Sequence, residues 1–177
     1  EIIPLLRSFV ENCSKYKYIK TDMEVLMMSF GCEKAVIDKF IKTLPLSNGD
    51  DDKTLYEKIF TSVDPVSYKK FKNNLTEMNK YLERISTQYE KFAYQVKDVL
   101  NKKQQYNLTK PLNINLLSEY NTALLTNNQD NINLCEKTLN DYIIQINAEI
   151  ESAKQKNIDE IIPLLRSFVE NCSKYKY

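Results

Sequence analysis

Cysteine is the strongest chemical lead in this sequence. The thiols stand at Cys13, Cys32, Cys135 and Cys172. No two are spaced as C-x-x-C, which argues against a zinc ribbon or a thioredoxin-type redox motif. Cys13 and Cys172 lie at equivalent places in a duplicated segment, which leaves three distinct thiols per repeat. In an oxidising compartment two of the three would pair, adding about 2–4 kcal/mol. The odd one would bridge to a neighbouring unit or chain. The competing reading is three reduced thiols packed as small hydrophobes: Cys135 falls on an apolar helical seam, and Cys13 follows Phe9 by four residues. The balance favours disulfides, with Cys13, Cys32, Cys135 and Cys172 as candidates.

The remaining side chains offer less. Histidine is absent, which removes the usual zinc ligand, general base and nucleophile relay. Asp50, Asp51 and Asp52 follow Gly49, but the pattern lacks the glycine and glutamate of an EF-hand loop. They read as a solvated acidic turn favouring the start of the next helix. Tyr68, Tyr89 and Phe92 sit at heptad spacing and read as core. The alternation Tyr16 to Lys20 of aromatic and basic residues has no wider basic surface around it, and the net charge is +1, so nucleic acid is not an expected partner. Three distinct N-x-S/T sequons begin at Asn12 (repeated at Asn171), Asn74 and Asn107; Asn107 falls in an expected loop and is the best candidate glycosylation site. No catalytic residue, cofactor site or metal site emerges, and the chain is expected not to be an enzyme.

The opening segment "EIIPLLRSFVENCSKYKY" recurs at the other end of the chain. Glu1 matches Glu160 and Tyr18 matches Tyr177, at a constant offset of 159. A tandem array of period 159, an engineered copy that completes a helix, and an arbitrarily divided fibre would each produce this. Internal repetition is the mark of arrays, so residues 1–159 read as one repeat unit and 160–177 as the start of the next. The chain begins at Glu1 without a Met or a signal peptide, and is read as a fragment of a longer protein. No apolar run is long enough to span a membrane.

Elements that would position these residues follow from periodicity. Gly occurs twice and Pro five times in 177 residues, which favours long helices over sheets. Asp64 and Pro65 form a helix start. Tyr68, Phe71, Leu75, Met78, Leu82, Ile85, Tyr89, Phe92, Val96 and Val99 then alternate three and four apart, an a/d seam that predicts one helix over about 65–103. A loop around Pro111 precedes a short helix at about 114–126. Asp130 is the expected cap of a last helix with the seam Ile132, Cys135, Leu139, Ile143, Ile146, Ile150 and Ala153. That helix runs into the second copy of the opening segment, where Pro163 either kinks it or opens a fresh helix capped near Asp159. At the other end, a helix is expected to about Tyr18, then a capping box at Thr21 and Glu24, a pause at Gly31, and a stop at Pro45. "PLSNGDDD" reads as a loop, and a short helix covers about 53–61.

Residues 1–44, 65–103 and 113–158 have similar reach. The expected fold is therefore all-α: an elongated antiparallel three-helix bundle with broken helices, forming one unit of a tandem helical repeat. In plan alone it resembles spectrin-type repeats, with a longer period and no shared motif. The expected function is a structural or adhesive module, acting as an extended spacer, fibre or scaffold whose partners are neighbouring units of the same chain or other copies in a fibre. The alternative is a helical carrier of lipid or another small hydrophobe in a secreted polyprotein. The expected location is secreted or cell-surface, with a cytoskeletal alternative. Asp159 and Pro163 are the expected repeat junction.

Overall fold

The computed structural model describes residues 2–44, 54, 57, 59–61 and 63–177. The expected loop "PLSNGDDD", with Asp50, Asp51 and Asp52, lies outside these residues. The fold is all-α. Six helices have described bounds: α1 (Ile2–Lys15), α2 (Lys20–Ser29), α3 (Lys34–Lys42), α4 (Pro65–Gln105), α5 (Leu116–Leu125) and α6 (Gln129–Lys174). Residues 54, 57, 59 and 60 are also helical.

Helix α4 is the axis on which α1, α2, α5 and α6 pack, while α3 packs on α2. Its start follows from Asp64, whose Oδ1 accepts hydrogen bonds from the backbone N–H of Val66 and Ser67, each at 2.9 Å, while Pro65 supplies a fixed φ at a position that needs no donor. The seam positions Phe71, Leu75, Met78, Leu82, Ile85, Phe92, Val96 and Val99 are buried. Tyr68 and Tyr89 are half-buried against the same core. Tyr81, one position off the seam, is also buried because its hydroxyl donates to the Leu124 carbonyl of α5, which satisfies a polar group that would otherwise be costly inside.

Named contacts fix the direction of each neighbour. Leu5 and Asn12 of α1 both meet Asn79. Tyr18, just past the end of α1, shares a groove with Ser86 and Tyr89, so α1 ascends alongside α4. The chain then descends: Phe30 rests edge-on against Tyr81 at 5.4 Å, Asn74 Nδ2 donates to Cys32 Sγ at 3.5 Å, and Ser67 Oγ donates to Glu33 Oε1 at 2.7 Å. Helix α5 also descends, from Tyr120 stacked on Phe92 at 3.8 Å to Leu124 beside Tyr81. Helix α6 ascends again. Tyr120 Oη donates to Glu136 at 2.9 Å, Tyr142 Oη donates to the Lys110 carbonyl at 2.6 Å, and Ala148, Glu149 and Ser152 face Asn107, Leu108 and Thr109.

Three sequence expectations shift here. Residues 1–44 break into three helices near Tyr18 and Gly31 as expected, but they do not continue as one broken rod: Lys17 and Gly31 take positive φ (62° and 78°), and the chain ascends in α1 and descends after it. Helix α2 begins one residue before Thr21: Asp22, not Glu24, reaches back to accept from the Ile19 N–H at 3.0 Å. Helix α6 is capped by Asn128, whose Oδ1 accepts from the Asn131 N–H at 3.2 Å; Asp130 sits inside the first turn, where its charge complements the helix dipole.

Candidate interaction segment

The duplicated segment occurs in two environments within one structure. In its first copy, α1 places Ile2, Ile3, Leu6, Phe9 and Cys13 in the core against α4, and Phe9 lies 6.0 Å from the Phe40 ring of α3. Asn79 of α4 clamps the helix from the flank: its Nδ2 donates to the Leu5 carbonyl and its Oδ1 accepts from Asn12 Nδ2, both at 3.3 Å. Sequence reading passed over Asn79; its one signal is an amide flanking the buried Met78 in an otherwise apolar seam.

In its second copy the same residues are the last part of α6, and nothing covers them. Phe9 is 0% exposed and its twin Phe168 67%; Leu6 is 0% exposed and Leu165 53%. Ile161, Ile162, Leu164 and Val169 are exposed as well. Beyond Ile150 the helix runs to Lys174 without another buried residue, an overhang of about 36 Å at 1.5 Å per residue. An apolar stripe of this size facing water is uncommon on a folded chain.

The local fold of the segment is the same in both settings. Lys17 and Lys176 take φ of 62° and 60°. Tyr18 N–H donates to the Cys13 carbonyl and Tyr177 N–H to the Cys172 carbonyl, each at 2.8 Å. This is the 6→1 bond of a Schellman cap, formed by a Lys in the left-handed region with or without tertiary packing. The segment therefore carries its own helix and its own stop.

Asp159 and Pro163 meet through the backbone. Helix α6 is continuous through Pro163, so no new helix begins at Asp159. Residue 163 would donate its N–H to the carbonyl of residue 159, and proline has no N–H to give. The Asp159 side chain is occupied locally, accepting from Gln155 Nε2 at 2.9 Å. Pro4, the twin, is the third residue of α1, where backbone donors have no intrahelical acceptor anyway.

The expected disulfides are not formed: all four cysteines are free. They are carried by separate parts of the fold. Cys13 is under α1, Cys32 is beside Asn74, Cys135 faces Ala123 and Thr122 of α5, and Cys172 is on the overhang. Burial, with a smaller contribution from Asp22, pushes the Cys13 thiol up to about 12; burial also raises Cys32 and Cys135. Because the thiolate is the reactive form, Cys172 should be alkylated first under native conditions and Cys13 only after unfolding. Mass spectrometry of a timed iodoacetamide reaction reads this order directly, and equal rates at the two positions would contradict the burial difference.

Asn107 is exposed, at φ 53° in the turn that closes α4. Of the other sequon asparagines, Asn12 is engaged with Asn79 and Asn74 with Cys32, while Asn171, the twin of Asn12, is exposed on the overhang. Among the described residues no group of His, Cys, Asp or Glu is arranged to hold a metal ion, and no helix is long and apolar enough to cross a membrane.

No family model, curated protein or solved structure matches this chain. The segment's two environments are therefore the observation on which a functional reading rests.

Proposed function

We propose that the chain is one unit of a tandem helical array that serves as an extended spacer or scaffold. The observation that supports this is the path of α6. One helix leaves the core at Ile150, passes Pro163, and presents a copy of the very segment that α1 uses to dock on α4. In an array, α6 of one unit would be α1 of the next.

The directions of the helices agree with that plan. Along its lower part α4 has α1 ascending and α2 descending beside it; along its upper part α6 ascends and α5 descends. The end of α1 and the start of α6 both lie near Tyr81 and Tyr89, where Tyr81 also reaches Asn127. Repetition would give three parallel tracks: the α4 helices end to end, the shared α6–α1 helices end to end, and the descending helices between them. Such an array would be elongated and all-α, but it differs from the up-down-up bundle expected from sequence, because α1, α4 and α6 all run in the same direction.

The repeat distance follows from helical rise. Asn79 marks the middle of α1, and Phe92 and Leu139 line one groove. Rise along α4 to that level, then along α6 to the middle of the second copy, gives roughly 60 Å per unit. Electron microscopy of polypeptides with two and three units should show rods that lengthen by this amount with each unit. Compact globules, or beads that bend freely at the junction, would reject the reading.

A further inference from the structure

We propose that the segment Glu160–Tyr177 fits the α1 seat of a second copy of this chain, so that separate chains link head to tail by exchanging a helix once α1 gives up that seat. This goes beyond the array reading, which concerns units joined in one chain. It requires only that one seat exists per copy and that two segments in each copy fit it.

The seat is defined by what it holds. Its floor is α4, its side is Phe40 of α3, and its polar clamp is Asn79. Each feature that α1 offers is repeated on the overhang: Leu165 and Phe168 for Leu6 and Phe9, Cys172 for Cys13, the Leu164 carbonyl and Asn171 amide for the two partners of Asn79. The helical conformation and the terminal cap are already formed on the overhang, so docking has little ordering cost. Charges match by identity, since every ionisable residue of one segment is present in the other.

In the intact chain α1 holds the seat by tethering. Only Tyr16 to Ile19 separate it from α2, and a short link gives an effective concentration in the millimolar range or above. An identical segment on another chain at micromolar concentration loses that competition. Exchange therefore appears when α1 is weakened and the second copy is left intact.

The test uses the full chain with Leu6→Asp and Phe9→Asp, which place carboxylates in the apolar seat. Sedimentation should show wild type as one chain mass and the variant as a concentration-dependent series of several chain masses. Adding Leu165→Asp and Phe168→Asp to that variant should return it to a single chain mass, and those two changes alone should leave the chain monomeric and folded. A folded Leu6/Phe9 variant that stays monomeric at high micromolar concentration would overturn the proposal. So would association that survives the second pair of substitutions, since that would be nonspecific. If the Leu6/Phe9 variant loses its fold, a synthetic peptide of residues 160–177 reads the same seat by circular dichroism. Recovery of helicity beyond the peptide's own supports docking, and no recovery refutes it. Failure here would leave the rod measurement on covalently joined units to stand or fall by itself.

Discussion

Replacing Phe9 by Ala is expected to destabilise the chain by about 3–5 kcal/mol, while the same replacement at Phe168 changes stability by no more than about 0.5 kcal/mol. The two residues have identical neighbours in sequence, so intrinsic helix propensity and local side-chain pairs cancel in the comparison. What differs is burial: Phe9 is wholly enclosed and packs on Phe40, and Phe168 faces solvent. Removing Phe9 forfeits its transfer energy and leaves a cavity beside Phe40; removing Phe168 leaves nothing behind. Urea denaturation of the two variants at low micromolar concentration measures both numbers. Equal losses would mean that both copies share the seat in solution, and a larger loss at Phe168 would mean that the second copy is the occupant.

The second large effect is at the other pair of twins. Pro163→Ala should strengthen the helix locally by about 3 kcal/mol, because it restores a donor to the Asp159 carbonyl and removes the clash of the ring with that turn. Pro4→Ala should be close to neutral, because the first turn of α1 has no carbonyl awaiting that donor. Hydrogen exchange over residues 158–170 should slow by about a hundredfold in the Pro163 variant. Amides of α1 should be unchanged in the Pro4 variant. If exchange near Pro163 does not slow, fraying from Lys174 rather than the proline sets the opening of this stretch. In an array, the proline would make the shared helix weakest at the boundary between units. The contact face around Leu165 and Phe168 lies just beyond it, so a bend at Pro163 would change the angle between units without disturbing either core.

What could be read in advance depended on how local the cause was. Helix α4 was legible nearly residue by residue, since a sustained a/d seam and an Asp–Pro start are both short-range signals that packing reinforces. The duplicated segment was legible as a duplication, and its helix and cap follow from its own residues. Tertiary facts were not. The breaks near Tyr18 and Gly31 were legible, but the reversal of direction between α1 and α2 was not, since Lys17 in the left-handed region carries no sequence mark as strong as Gly31. The start of α2 went to Ile19 rather than Thr21 because the closing turn of α1 leaves only a short link. Pro163 was ambiguous because a proline φ suits both a first turn and an interior one. Continuity follows from the good helix formers before it, Lys154 to Lys156 among them, and from solvent that can serve the orphaned carbonyl. Disulfides were expected from the number of thiols and an oxidising compartment, and those carry no distance information. The candidate interface was half visible: its residues were known from the repeat, but that one copy would be buried and the other bare needed the fold.

The order of parts along the chain has a consequence for synthesis. Helix α1 precedes the α4 seam that receives it, so a growing polypeptide makes each plug before its socket. In a string of such units the overhang emerges just ahead of the next α4, and the nearest copy of the segment is always the correct one. Identical repeats are usually prone to pairing with the wrong neighbour; in such a string the timing of emergence would give the right partner a head start of one whole unit.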